Sequence, residues 1–516
     1  MMPGREQYTF LFPLSAGACV GGLYLGFANP FFHFPPFIFL FFLGLNCIAL
    51  NSGSYRQVFR NALLASGLAF SACLYWIVVP VHVYGGFPFF LAVFCPLLLG
   101  FCIGFIVSLY ALFIFTIKDS FSWFWLGVFG GCAWAGIEFA REYVLTGFPW
   151  FVAAQSFAVW PQTVQSVSII GSFGLAMIMT ACGMWLTLKT KASIFTAAAV
   201  LIIIFGYGFF LPVHKHDHKY INVLAVQGNI DQTIKWEQDV QLLTINKYIY
   251  LTEKGMDVEQ PDLVIWPETA IPFYFQEPTD LAQKIREFVR HNSLNLIAGS
   301  PAYIFHEDRV SYSLFNRAYW ISRDGFILDY YDKEHLVPFG EYVPLSRLLP
   351  FVEKLVPGEM DFSPGEAAAP MTSGDLALGV LICYEIIYPN LVRQRVAQGA
   401  NLLTNLSNDA WFGNTSAPVQ HLHLGVLRAI EQNRYVVRAT NSGISAFIDP
   451  RGNIFHRSGL KEDAFLLDKA GLVEDKSIYF HLHWVINCLL LAGILLSLIL
   501  RKLKKTKKIM FSSGLR

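Results

Sequence analysis

Charged residues are scarce in this chain. Only 15% of its 516 residues are Asp, Glu, Lys or Arg, while 54% are apolar. An ordinary soluble domain carries about 25% charged residues, so the deficit points to a membrane protein with room for two or three domains. The net charge of +1 gives no lead to a nucleic-acid partner, and none is expected. No CxxC pair and no His/Cys spacing suits zinc. Eight of the nine cysteines lie inside apolar stretches, where Cys behaves as a small hydrophobe. Only Cys383 falls in a long polar segment; it has no local partner, which excludes a disulfide framework there. There is no internal repeat and no low-complexity tract apart from a basic C-terminal tail.

What is present is a series of apolar runs near 9–28, 31–50, 59–81, 88–116, 122–140, 164–187 and 193–212, with an eighth near 481–500. Most have about 20 residues, the length that crosses roughly 30 Å of hydrocarbon. Pro35 and Pro36 interrupt the second, and the fourth is overlong. If all eight are spans, Arg5, Arg56, Arg60, Lys118, Lys189, Lys191 and the basic residues of 501–508 share one side. The positive-inside rule makes that side the cytoplasm, with Arg141 and the His/Lys stretch at 214–219 as exceptions. The expected division is a membrane domain over 1–212 with about seven transmembrane helices, an outer domain over 213–480, a last span over 481–500 and a cytoplasmic tail over 501–516. The outer domain would be periplasmic in the inner membrane of a Gram-negative cell. Ala16-Gly17-Ala18-Cys19 looks like the cleavage box of a lipid-modified signal peptide, but the Leu expected three residues before the Cys is absent, so a retained span is expected.

Segment 213–480 alternates β-rich runs with polar helical ones. Strands are expected at Ile221–Val226, Leu263–Trp266, Leu294–Ala298, Ala318–Ser322, Phe326–Tyr330, Leu376–Ile382, Leu402–Asn405, Val436–Ala439 and Ser445–Ile448. Arg323-Asp324-Gly325 and Pro450-Arg451-Gly452-Asn453 read as hairpin turns, and Thr279–Asn292 and His421–Gln432 as helices. The mixture describes one α/β domain.

Three islands in it carry reactive side chains: V-I-W-P-E-T-A with Glu268, Y-D-K-E-H-L-V-P-F-G-E-Y-V-P with Lys333 and Glu341, and G-V-L-I-C-Y-E with Cys383. An acid, an amine and a thiol at strand ends form a coherent reactive set. Sulfur attacks as thiolate and needs a base or a nearby cation, and an ammonium steadies the oxyanion that follows. Glu268 is the candidate base, Lys333 the oxyanion partner, and the Tyr384 backbone N–H a second donor.

These islands, in this order, resemble the nitrilase superfamily, whose members use a Glu–Lys–Cys triad. With the flanking spans, nearly the whole chain is similar to its membrane-bound branch, the apolipoprotein N-acyltransferases. The matching motifs include G-F-P-W at 147–150, Q-G-N-I at 227–230 with Lys235-Trp236, W-P-E-T-A at 266–270, P-F-G-E-Y-V-P at 338–344 and C-Y-E at 383–385. N-D-A-W-F-G at 408–413, A-P-x-Q-H at 417–421 and R-A-T-N-S-G-I-S-A at 438–446 match too. The resemblance implies a four-layer α-β-β-α sandwich for 213–480, with Glu268 as general base, Lys333 stabilising the tetrahedral intermediate and Cys383 as nucleophile. It implies that Glu341 positions Lys333, that Tyr384 and Glu385 support the nucleophile, and that Trp236 contacts substrate, with packing as its alternative. The implied reaction is ping-pong. Cys383 takes the sn-1 acyl group of a phospholipid, phosphatidylethanolamine being expected, and passes it from a thioester to the N-terminal amine of a diacylglyceryl-cysteine apolipoprotein. No metal or organic cofactor is required, and a monomer is expected.

Two other readings stay open. A membrane-tethered nitrilase-like amidase would share the triad and finish with water. A non-catalytic lipid-binding scaffold should show a broken triad, whereas here it is intact. A transporter is disfavoured because strongly polar residues in the apolar runs, such as Glu138, lie near their ends. Arg141 is a candidate for a lipid phosphate or an interfacial anchor. His214, His216 and His218 read as a juxtamembrane spacer or a metal tract, and His421 and His423 as structural. The proline-rich apolar segment 336–364 is expected to form a membrane-touching lid that admits an acyl chain, or to pack as an ordinary loop.

Overall fold

A computed structural model describes residues 5–211, 218–344 and 361–513. The chain divides into two compact units, one of 1–78, 89–212 and 477–516 and the other of 79–88 and 213–476.

The first unit is helical. Each expected apolar run overlaps a helix: Arg5–Gly26, Ile38–Asn51, Tyr55–Cys73, Phe94–Ile117, Trp123–Ala140, Val167–Leu188, Lys191–Gly206 and Ile478–Ser513. Pro35 and Pro36 open a 3₁₀ turn just ahead of Ile38–Asn51, where their fixed φ is tolerated. Among the described residues, four helical stretches are long and apolar enough to cross a membrane, namely Phe89–Ile117, Val167–Leu188, Lys191–Phe209 and Ile478–Thr506. The bent pair Tyr55–Cys73 and Tyr75–Tyr84 makes a fifth if counted as one span, while Phe12–Gly26 and Pro35–Asn51 are shorter apolar helices. This is a membrane protein.

Small residues let these helices approach closely, since packing rather than hydrophobicity joins helices in lipid. Tyr55–Cys73 lies against Phe94–Ile117. A methyl group added to Gly100 would come within 2.6 Å of the Ser71 backbone nitrogen, and one on Gly104 within 2.7 Å of that of Gly67. The buried amide of Asn46 accepts from the Tyr110 hydroxyl at 2.7 Å, satisfying a polar pair between two helices.

The second unit is an α/β sandwich. Its strands are β1 Lys219–Gln227, β2 Leu263–Ile265, β3 Leu296–Phe305, β4 Tyr312–Ile321, β5 Ile327–Asp332, β6 Met371–Ser373, β7 Leu376–Ile382, β8 Leu402–Ser407, β9 Val436–Thr440, β10 Ala446–Ile448, β11 Ile454–Arg457 and β12 Ala464–Leu472. Among the described residues they form two six-stranded sheets, ordered β12-β1-β2-β3-β4-β5 and β11-β10-β9-β8-β7-β6. The central strands β1, β2, β3 and β7, β8, β9 run parallel. Parallel strands are covered on both faces, which is why L-V-I and L-A-L-G-V-L-I read as continuous apolar runs.

Alternation along β1 shows the layering. Val223 and Ala225 join residues of β7, β8 and β9 in a core between the sheets, whereas Leu224 and Val226 face the helices Gln238–Met256 and Asp280–His291. Pro389–Ala397 and Ala417–Gln432 cover the other sheet. Local signals set the helix ends: Thr279 caps Asp280–His291 through the Ala282 N–H at 3.2 Å, and Pro389 occupies a first-turn position.

The unit also takes in 79–88, which begins with the last three residues of the expected third span, 59–81. The Tyr84 hydroxyl donates to the Ala410 carbonyl at 3.0 Å, and its ring meets Trp411 edge-on with centroids 4.8 Å apart. Of the expected lid segment, 345–360 lies outside the described residues, as do His214 and His216. The flanking stretches are pinned near Lys333: Phe362 N–H donates to the Glu341 carbonyl at 3.0 Å and Gly365 N–H to the Lys333 carbonyl at 2.8 Å.

Candidate active site

Three strand ends deliver the three reactive side chains. β2 leads through Trp266 and Pro267 to Glu268, β5 ends one residue before Lys333, and β7 ends one residue before Cys383. All three are buried. Supports of this kind hold reacting groups more firmly than free loops.

The Lys333 ammonium lies 2.8 Å from Glu341 Oε2 and 3.6 Å from Glu268 Oε1. Burial works against its charge, but Glu341 first, then Glu268 and Cys383, hold its pKa above the ordinary value. Asn316 on β4 bridges the two acids, its amide nitrogen donating to Glu268 Oε1 at 2.8 Å and to Glu341 Oε1 at 2.9 Å. The other Glu268 oxygen accepts the Asn408 N–H at 2.8 Å, and Glu341 Oε2 accepts the Val337 N–H at 2.9 Å. Both carboxylates are thus fixed from several sides.

Cys383 opens a short 3₁₀ turn, Cys383–Ile387, with φ of 53°. That left-handed conformation is uncommon for a residue with a Cβ and persists where the surroundings hold it. Burial pushes the thiol pKa up and Glu268 adds to this, while Lys333 and a hydrogen bond with Ser407 pull the other way. The sulfur is therefore a protonated thiol at rest, within electrostatic reach of both Glu268 and Lys333.

Glu385 ties the Cys383–Ile387 turn to the stretch after Lys333. It accepts the N–H groups of Ile382 at 2.7 Å, Glu334 at 2.7 Å and His335 at 3.0 Å, and the Tyr331 hydroxyl at 2.7 Å. Burial raises its pKa against these donors and Arg395. Tyr384 is buried beside Tyr388, with ring centroids 5.3 Å apart.

Trp236 is half-buried next to Lys235, whose fully buried amine lies 2.6 Å from Thr269 Oγ1. Burial lowers the Lys235 pKa to about 7, with Glu268 partly opposing. Arg141 is buried in the helical unit and donates to the carbonyls of Phe148, at 3.2 Å, and Trp150. Its guanidinium thus braces the G-F-P-W turn.

The motifs alone give no role to Asn316, Asn405, Ser407, Asp409 or Arg438, although Asp409 and Arg438 stand in two of the matching islands, 408–413 and 438–446. A signal was present: Asn405 and Arg438 are polar residues within the buried strands L-L-T-N-L-S and V-V-R-A-T, where burial demands partners.

Two facing sheets flanked by helices, in one chain with apolar helices of membrane-spanning length, define a membrane protein with a nitrilase-like α/β domain. Residues 222–468 match the carbon-nitrogen hydrolase family, and residues 21–185 match the apolipoprotein N-acyltransferase N-terminal domain. The apolipoprotein N-acyltransferase of Geobacter metallireducens is 33% identical over 475 residues, 90% of each chain. That of Haemophilus influenzae is 29% identical over 493 residues, covering 92% of this chain and 91% of its own. The Pseudomonas aeruginosa protein is 32% identical over 409 residues, 75% of this chain and 76% of its own. The chain belongs to the apolipoprotein N-acyltransferase family.

Proposed function

We propose that this chain transfers the sn-1 acyl group of a phospholipid to the N-terminal amine of diacylglyceryl-cysteine on apolipoproteins, through a thioester on Cys383. The observation that carries this reading is the Lys333 ammonium held 2.8 Å from Glu341 and 3.6 Å from Glu268, with the Cys383 thiol in its field.

Because burial keeps the thiol protonated, a base must act as sulfur attacks. Glu268 takes the thiol proton while the sulfur–carbon bond forms, and Lys333 and the Tyr384 N–H steady the oxyanion. As the tetrahedral intermediate collapses, the ester carbon–oxygen bond breaks. Glu268 returns the proton to the leaving alkoxide, which departs as lysophospholipid. The amine of the second substrate then attacks the thioester and Glu268 takes its proton. The carbon–sulfur bond breaks, the thiol is re-formed, and the acylated lipoprotein leaves. Glu341 acts through Lys333, Glu385 through the nucleophile turn, and Trp236 lines the substrate path.

Phosphatidylethanolamine is the proposed donor and a monomer the working form. The proposed topology puts 213–480 on the periplasmic side of a bacterial inner membrane and the C-terminal tail in the cytoplasm, on the distribution of basic residues. The test uses the purified chain in vesicles of phosphatidylethanolamine with a labelled sn-1 chain and a diacylglyceryl-cysteine peptide. Acylated peptide and lysophospholipid should form in equal amounts, and Cys383→Ala should form neither. Free fatty acid without acylated peptide would assign the chain to hydrolysis instead.

A further inference from the structure

The Cys383 carbonyl accepts two side-chain hydrogen bonds from two elements. Asn405 on β8 donates its amide nitrogen at 3.1 Å, and His421 on the helix Ala417–Gln432 approaches with Nε2 at 3.2 Å. A carbonyl can only accept, so Nε2 of His421 carries a proton. The other ring nitrogen, Nδ1, lies 3.0 Å from Arg438 Nη2 and 3.2 Å from Asp409 Oδ1. Guanidinium can only donate, so in the uncharged ring Nδ1 accepts from Arg438, and the tautomer follows from the network. If the ring gained a proton, Nδ1 would donate to Asp409, and Nε2 would still donate to Cys383.

Arg438 organises both donors. It is buried, pairs with Asp409 Oδ2 at 2.6 Å, and hydrogen-bonds the Asn405 side-chain oxygen, which leaves the Asn405 amide nitrogen for Cys383. Asp409 also accepts the Ser407 hydroxyl at 2.7 Å, and Ser407 in turn meets the sulfur. Burial would raise the Asp409 pKa, but Arg438 and then His421 hold it well below the usual carboxylate range. Burial and then Arg438 lower that of His421 against Asp409. Among the described residues, Arg438 and Asp409 are the charged groups with the largest influence on His421, and their charges oppose each other.

We propose that His421, as the Nε2–H tautomer set by Arg438, is a positioning residue that holds Cys383 in the left-handed backbone conformation from which its sulfur attacks the acyl donor. This rests on the acyl-transfer reading above. Two donors from separate elements converge on the carbonyl of a residue whose φ of 53° needs support. With the preceding residue Ile382 held in β7, fixing the peptide plane after Cα restricts both backbone torsions and so the direction of the Cα–Cβ bond.

The test compares full-length wild type, His421→Leu and His421→Gln in phosphatidylethanolamine vesicles. The readout is the single-turnover rate of thioester formation on Cys383, normalised to the chains acylated at completion. His421→Leu should slow acylation about tenfold with half-saturating lipid unchanged, and His421→Gln, which keeps an N–H near the Nε2 position, should recover most of the rate. If His421→Leu does not accumulate, His421→Asn, whose shorter amide stops short of the carbonyl, replaces it. Equal rates in the Gln and apolar variants, or a loss confined to the acylatable fraction, would overturn the proposal. A wild type that forms no thioester would sink the acyl-transfer reading itself, a result distinct from normal acylation in His421→Leu.

Discussion

The ammonium of Lys333 sits 2.8 Å from the carboxylate of Glu341. Glu341 is also the largest influence favouring the Lys333 charge in a fully buried position. In Glu341→Gln the cation should keep only Glu268 as a carboxylate partner and draw toward it, tying up the proposed base. Thioester formation should fall about 100-fold, in the range seen when an oxyanion donor is removed. The sign of the pH effect follows. Glu341 raises the Lys333 pKa, so its loss lowers that pKa and moves the alkaline limb of the rate profile to lower pH. Stopped-time acylation across pH checks both, and an unmoved limb would contradict the pairing.

Asn316 offers one amide nitrogen to two carboxylates, at 2.8 and 2.9 Å. Asn316→Asp puts a third acid where a donor stood, while Asn316→Ala only removes the donor. The Asp variant should therefore be slower than the Ala variant, by about tenfold if it stays ionised, since like charges at this range repel strongly. Its deficit should shrink as pH falls and the added acid is neutralised. An Asp variant faster than Ala at neutral pH would be the contrary result.

Lys235 is a buried amine whose pKa is lowered from 10.5 to about 7. Between those values the unfolded chain holds a proton that the folded chain lacks, so this group makes stability rise with pH across that window. Below pH 7 the full penalty of burying the ammonium applies, at most about 5 kcal/mol. Lys235→Met removes it, so the variant's advantage over wild type should be largest near pH 6 and shrink by pH 9. Thermal unfolding in detergent at the two pH values measures this; a difference constant with pH would exclude it.

In the helical unit, Gly104 has no room for a side chain, because a Cβ there would lie 2.7 Å from the Gly67 backbone nitrogen. Gly104→Leu must push the two helices apart, at a cost of about 1–3 kcal/mol typical of overpacking. Thermal unfolding of the variant in detergent should show the loss, whereas Gly21→Leu, with nothing within 4 Å of its Cβ position, should not.

How far these features could be read in advance depends on where their causes lie. β7 forms over the expected Leu376–Ile382 because an uninterrupted apolar run buried on both faces announces itself locally. β12 went unread because Asp468 and Lys469 break its apolar pattern; it exists through pairing with β1, Lys219 opposite Leu472 and onward. Gln238–Met256 was also missed, since its surface face carries enough polar residues to blur the stripe. Segment 79–88 starts inside the expected third span, and its contacts with Ala410 and Trp411, far along the chain, tie it to the α/β unit. Likewise, Glu268, Lys333 and Cys383 stand in motifs, whereas Asn316 and Arg438 take their meaning from side chains far along the chain, Glu268 for one and Asn405 for the other.

The most direct measurement of the central claim is peptide mass mapping after the purified chain meets labelled phospholipid without an amine acceptor. The account predicts one fatty acyl group, released by hydroxylamine and located on Cys383, whose accumulation falls steeply in Glu268→Gln and Lys333→Met. An acyl group found on another residue, or on Cys383 at an undiminished rate in both variants, would contradict it.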